Sequence, residues 1–130
     1  MNRHPPDLAA TIDEIASSCR ATRARMASRE LTRDYDAALA GAGLRSTELA
    51  VLVASGRLAT GRLNEVAELL SMDLSTLSRA AAQLERKGWL RVDKEGHRTR
   101  RVRLTDEGAA KIIDSYPGWR SAQDRAVRDE

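Results

Sequence analysis

The sequence predicts a mostly helical fold carrying one small β-hairpin, with a first helix long enough to pack part of its apolar stripe on a second chain. Three observations carry this reading. Apolar residues recur at three- and four-residue steps over most of the 130 residues, but between Leu90 and Leu104 the period drops to two around a glycine-containing turn. Apolar residues make up 42% of the chain, dominated by alanine and leucine, with no Phe, two Trp and two Tyr, which suits close-packed helices. The first helical pattern, about 33 residues, would span roughly 50 Å, too long for a small monomer to bury alone.

Taken in order, Pro5-Pro6 leads into a helix over residues 7 to about 40, in which Leu8, Ile12, Ile15, Cys19, Thr22 and Met26, then Leu31, Tyr35 and Ala38, form one stripe. Gly41 and Gly43 end it. Ser46 is expected to cap a second helix, TELAVLVAS, apolar nearly all round and hence buried. GRLATGR is a turn with room for a very short strand near Arg62 and Leu63. Asn64–Leu70 is a third helix, Ser71-Met72-Asp73 a tight turn, and a fourth helix runs to Lys87 with Gly88 as its C-cap. This is helix-turn-helix spacing. Leu90 and Val92, then Val102 and Leu104, alternate with charged residues on either side of DKEGHR, giving a two-stranded hairpin. Thr105 followed by Asp106 and Glu107 starts a fifth helix, which Pro117-Gly118 is expected to interrupt before a sixth.

The net charge of +3 is unevenly spread: residues 71–104 carry nine Lys/Arg against four acids, a local +5, so the other 96 residues sum to −2. Five arginines lie between Arg91 and Arg103. A surface that meets a polyanion needs such clustering, because each neutralised phosphate releases counterions. The excess of arginine over lysine, 19 to 3, suits bidentate phosphate or guanine contacts but also follows from a GC-rich genome.

On the fourth helix Leu77, Ala80, Ala81 and Leu84 fall on one face. Ser75, Arg79, Ala82 and Arg86 fall opposite, flanked by Thr76, Ser78 and Gln83. Hydroxyls and amides at a helix start bind phosphate, Arg79 has the reach and donors for guanine O6 and N7, and Ala82 lets the helix sit deep in a major groove. The same residues also suit a merely solvated face. In the hairpin, Arg98 near the tip is placed to enter a minor groove, and Arg100, Arg101 and Arg103 to follow the flanking backbone; alternatively, they are the charges of a protected edge strand. Helix-turn-helix and basic hairpin in direct succession favour double-stranded DNA as the partner.

NEVAELLSMDLSTLSRAAAQLERKGWLRV followed by HRTRRVRLTDEG resembles the MarR family of bacterial winged-helix regulators, over about Ile12 to Gln123. The resemblance implies a winged helix-turn-helix at about 46–104, with helices at about 7–40 and 105–130 joining two copies into a homodimer, in one domain of 130 residues. It places Ser75, Thr76, Ser78 and Arg79 at recognition-helix contacts and Arg98 at the wing tip. Two departures stand out. Where the family often has an acid that steadies the wing arginine, this chain has Gly96, and the last helix is expected to be short, shifting dimer contacts to the first.

SRELTRDY, residues 28–35, resembles the first helix of organic-peroxide sensors in that family, with Tyr35 at a tyrosine that holds their cysteine. Their cysteine position is Ala21 here and their second tyrosine is Arg25; Cys19 is turned about 200° away on a helix. Cys19 is therefore a candidate redox residue or a buried structural one; Arg20 and Arg23 would lower its pKa if it is exposed. Met26, Tyr35 and Trp119 are candidates for a small-molecule effector pocket, or simply core. Trp89 is expected to pack at the hairpin start, and His4 and His97 show no metal-ligand pattern.

No apolar run reaches the roughly 18 residues of a membrane span, and Met1–Leu8 lacks a secretory h-region, so a cytoplasmic protein without membrane contact is expected. The single cysteine fits a reducing compartment. The expected function is a sequence-specific, double-stranded DNA-binding regulator, most simply a repressor on a pseudopalindromic operator. The alternatives are a redox-responsive regulator using Cys19, a DNA coater without sequence preference, and a winged-helix module docking an acidic protein. The chain has no phosphate-binding glycine loop, nucleophile motif or metal cluster that would point to an enzyme, and no cofactor is expected.

Overall fold

The computed structural model describes residues 7–129; His4 and the Pro5-Pro6 lead-in lie outside them. The chain divides into two compact units, one through Arg33 and one from Asp34 onward.

The first unit holds α1 (Leu8–Ser18) and most of α2 (Arg20–Leu39). Asp7 caps α1, its Oδ1 accepting from the Ala9 amide at 3.2 Å. The single long helix expected here is broken at Cys19, which has extended backbone (φ −67°, ψ 109°). The cause is local. The Ser17 and Ser18 hydroxyls donate back to the Asp13 and Glu14 carbonyls, competing with the backbone ladder, and the Arg23 guanidinium takes the Ser17 carbonyl. Leu8, Ile12, Ile15 and Met26 are all more than half exposed.

In the second unit, α2 ends in a 3-10 turn (Ala40–Ala42), followed by α3 (Ser46–Arg57), α4 (Leu63–Leu69), α5 (Leu74–Arg86), β1 (Leu90–Glu95), β2 (Thr99–Leu104) and α6 (Asp106–Arg128). Ser46 is the first residue of α3 rather than its cap. That position belongs to Arg45, whose amide donates to Glu48 Oε1 at 2.9 Å, while Asp36 Oδ1 accepts from the Ser46 amide at 2.7 Å. Nor is α3 buried all round: Ala50 and Val53 are exposed. The turn between α4 and α5 is made by Ser71 in the left-handed region (φ 52°), with the Met72 amide reaching back to the Ala67 carbonyl.

The core gathers Leu39, Leu52, Val66, Leu77, Leu84, Leu90 and Val102, each at most 1% exposed. At roughly 1.5–3 kcal/mol per buried aliphatic side chain, these residues anchor α3, α5 and the hairpin to one another. The hairpin is antiparallel, with Leu90 opposite Leu104 and Val92 opposite Val102, which puts one apolar row inward. The short strand expected near Arg62 is a single bridge to Arg101. Gly61 makes it possible: the Gly61 carbonyl accepts from the Val102 amide at 2.7 Å, and a Cβ at this left-handed position (φ 62°) would stand 2.6 Å from the Val102 carbonyl oxygen.

α6 is neither interrupted nor short; it runs 23 residues with Pro117 inside it. Proline removes one ladder hydrogen bond and tends to kink a helix. Here tertiary packing offsets that cost. Gly118 lets the helix meet the end of α2 so closely that a Cβ would lie 2.3 Å from the Ala38 carbonyl oxygen, and the Lys111 ammonium donates to the Ala42 carbonyl at 2.5 Å. Thr105 caps α6 by accepting from the Gly108 amide at 3.0 Å. Among the described residues no single helix is long and apolar enough to cross a membrane.

Candidate nucleic-acid interface

α5 is helical for local reasons, with Asp73 at its N-cap position, a run of three alanines at its centre and Gly88 just beyond its end. Leu77, Ala81 and Leu84 turn inward, Ala80 is half-buried, and Ser75, Thr76, Arg79 and Arg86 are exposed. Thr76 Oγ1 donates to Asp73 Oδ2 at 2.9 Å and receives the Arg79 guanidinium at 3.5 Å, the long limit for such a bond. A file of side chains along the start of the helix thus leads to Arg79.

The hairpin closes one side of a cleft of about 820 Å³ against this face. Ser75 and Ser78 of α5 line it together with Arg98 and Arg100 of the hairpin, Arg62 before α4, and His97. No acidic residue lines it. Arg100 donates to Ser78 Oγ at 3.0 Å, tying the hairpin to α5. Arg98 is exposed near the tip, beside Gly96. A wall of three arginines and hydroxyls in one cleft offers charge and donors together, as a phosphate backbone requires.

The remaining arginines have partners within the protein. Arg101 is turned inward, its side chain 29% exposed; it donates to the Thr60 carbonyl, and its Nε lies 2.8 Å from Glu95 in an ion pair whose N–H is not aligned for a hydrogen bond. Arg103 grips Asp93 through Nε and Nη2 at 3.1 and 2.8 Å. Arg86 stands exposed at the far end of α5 and does not line the cleft. Arg62 and Asn64 line the cleft although the sequence reading left them out. The available signal was the basic residue directly before a helix start, where a phosphate would also meet free amides.

Behind α5, two ammonium groups lie over the Trp89 ring, Lys87 at 5.0 Å and Lys111 at 5.2 Å from its centre. Lys87 also pairs with buried Glu48 at 2.5 Å. Burial opposes ionisation of Glu48, but the Lys87 hydrogen bond, the Arg45 amide and both neighbouring positive charges outweigh it and hold the carboxyl below its usual pKa.

Tyr35 and Trp119 line a second cavity, about 350 Å³, between the end of α2, α3 and α6. Trp119 stacks on Tyr116 at 5.8 Å. Met26 lies in the first unit and is 53% exposed. Cys19, also in that unit, is a free, half-exposed thiol at the break between α1 and α2, and hydrogen bonds from the Thr22 hydroxyl and amide hold its pKa below the ordinary thiol value.

The sequence profile of the IclR helix-turn-helix domain matches residues 38–94, from the end of α2 into β1. No curated protein sequence matches the chain significantly. Among solved structures, the M. tuberculosis transcriptional regulator MosR is 27% identical over 87% of this chain and 83% of its own, with a TM-score of 0.77. In its complex with DNA it aligns at 30% identity over 87% of this chain and 84% of its own, TM-score 0.78. A MarR-family regulator from Rhodococcus sp. RHA1 shares the fold at 22% identity, 94% and 82% coverage and TM-score 0.70. So does PcaV from Streptomyces coelicolor, in complex with its natural ligand, at 20% identity, 98% and 86% coverage and TM-score 0.77. The sequence likeness to MosR covers most of both chains, and this chain belongs to the MarR family of winged helix-turn-helix, DNA-binding transcriptional regulators.

Proposed function

We propose that this regulator acts as a homodimer that reads a pseudopalindromic duplex site and represses by occupying promoter DNA in the cytoplasm. One observation carries the reading: the exposed face of α5 and the arginine-lined cleft beneath the hairpin form one continuous cationic, donor-rich surface. Ser75, Thr76, Ser78 and Arg79 are assigned to the major groove, Arg98 to the adjoining minor groove and Arg86 and Arg100 to the flanking backbone, while Arg101 serves DNA binding by holding the hairpin in place. Dimerisation is supported by apolar side chains exposed in the single chain, Leu8, Ile12 and Ile15 on α1 and Ile113, Tyr116 and Val127 on α6, all at least 55% exposed. The whole chain then serves as one functional domain, with its terminal helices at the dimer seam.

A small-molecule effector is assigned to the cavity lined by Tyr35 and Trp119, with Met26 on the first unit's exposed face as a further candidate. The lowered thiol pKa of Cys19 favours a second reading, in which oxidation of that residue modulates DNA binding. Anisotropy titrations of pseudopalindromic against random duplexes, with sedimentation to read the stoichiometry, test the main reading. Indiscriminate binding, or a monomer on the site, would reject it. Adding peroxide to wild type and Cys19→Ser tests the second.

A further inference from the structure

We infer that Leu74, the first residue of α5, reads a thymine by packing on its C5 methyl group at the edge of the major groove nearest the hairpin; this rests on the sequence-specific reading above and adds an apolar contact to the polar ones assigned there. Leu74 is 51% exposed, and no other large apolar side chain of α5 is exposed. The fold makes no use of it. In the hydrophobic staple that fixes the entry to a helix, the residue before the N-cap packs against the fourth helical residue. Here those positions are Met72 and Leu77, and both lie in the core cluster, which Leu74 does not join.

A leucine alone on a surface is ordinary. This one stands in the cleft, among Arg62, Arg98, Arg100 and the Ser75 and Ser78 hydroxyls. Those groups suit phosphate oxygens and polar base edges, whereas leucine gains only from an apolar group on the partner. The major groove presents one, the thymine methyl. The position of Leu74 fits such a contact. Base edges are met by the N-terminal residues of a recognition helix. Leu74 stands one turn before Ser78, whose Oγ accepts from Arg100 of the hairpin, and so occupies the edge of α5 that faces the hairpin. Cytosine or adenine in the same place would bring an amino group that loses water with no acceptor on leucine to replace it. Leu74 thus favours thymine by apolar contact and disfavours those two bases by desolvation.

The test begins with a duplex selected from a random-sequence pool by the purified full chain. Fluorescence anisotropy then compares it with copies in which each thymine in turn is replaced by uracil, which lacks only the methyl. For wild type, one thymine in each half-site should be sensitive, its replacement weakening binding about fourfold, the worth of one buried methyl group. Leu74→Ala should bind the thymine and uracil duplexes equally, with the circular dichroism spectrum and Tm kept because the residue lies outside the core. Leu74→Met, still apolar, should retain the difference. If no thymine is sensitive in wild type, or if the sensitive one is equally so in Leu74→Ala, Leu74 does not read a methyl, while the selected duplex leaves sequence-specific binding standing. If selection enriches no sequence, the sequence-specific reading falls as well.

Discussion

Replacing Arg98 and Arg101 with alanine, one at a time, should separate a side chain that meets DNA from one that holds the hairpin. Arg98 is exposed at the tip, lines the cleft and has no ion-pair partner among the described residues, so its charge is available to DNA. Arg101 is already neutralised by Glu95 at 2.8 Å and anchored on the Thr60 carbonyl. Each cation that displaces a condensed counterion, at a phosphate or in the minor groove, adds about 0.9 to the slope of log affinity against log salt, so losing Arg98 from both subunits of the proposed homodimer should flatten the slope by about 1.8. Between about 50 and 200 mM salt, wild type should therefore lose roughly twelvefold more affinity than Arg98→Ala. Arg101→Ala should weaken binding at every salt concentration with the slope kept, because it releases the hairpin from the loop at Thr60 rather than removing a backbone contact. Fluorescence anisotropy on one fixed duplex across a salt series reads both quantities. An Arg101→Ala slope as flat as that of Arg98→Ala would refute the inward assignment. An unchanged slope for Arg98→Ala would remove the tip from the DNA.

Three further outcomes follow from the same geometry. Leu77→Ala empties a fully buried site beneath the recognition helix and should cost about 2–5 kcal/mol in chemical denaturation; a loss below about 1 kcal/mol would mean that α5 is not seated as described. Because the Glu48 pKa is depressed on folding, its contribution is present above about pH 4.5 and lost as pH falls through the lower folded value. Urea midpoints of Glu48→Gln should thus vary less than those of wild type between neutral pH and about pH 3, and parallel profiles would argue against the Lys87 pairing. Thr22→Val should raise the Cys19 thiol pKa towards its ordinary value, read from the pH dependence of iodoacetamide alkylation; an unmoved midpoint would exclude the Thr22 hydroxyl as the cause.

The elements whose pattern repeats over several turns could be read before any fold was known. The inward face of α5, the hairpin registered on Leu90, Val92, Val102 and Leu104, and the capping of α6 by Thr105 each follow from spacing or from one residue's chemistry. The boundaries set by competition could not. Cys19 carries no helix-breaking side chain, and the break there needs the hydroxyls of Ser17 and Ser18 and the reach of Arg23 together. Pro117 does carry one, yet α6 runs through it because Gly118 docks on Ala38. Family likeness supplied the recognition-helix positions, but it said nothing of Arg62, which reaches the cleft only through the fold.

From sequence alone came the helical and hairpin periods, the block of positive charge over residues 71–104 and the residues that turn away from the core on α5. These are local quantities, set by the repeat of the backbone and the order of side chains along it. Only the tertiary structure decided how that charge is spent: Arg98 exposed at the tip, Arg100 on Ser78, Arg101 on Glu95 and Thr60, Arg103 on Asp93. It also created the uncharged cavity between the end of α2, α3 and α6. Coulomb and hydrogen-bond energies depend on separations of a few ångströms between residues distant in sequence, and such separations exist only once the chain has packed.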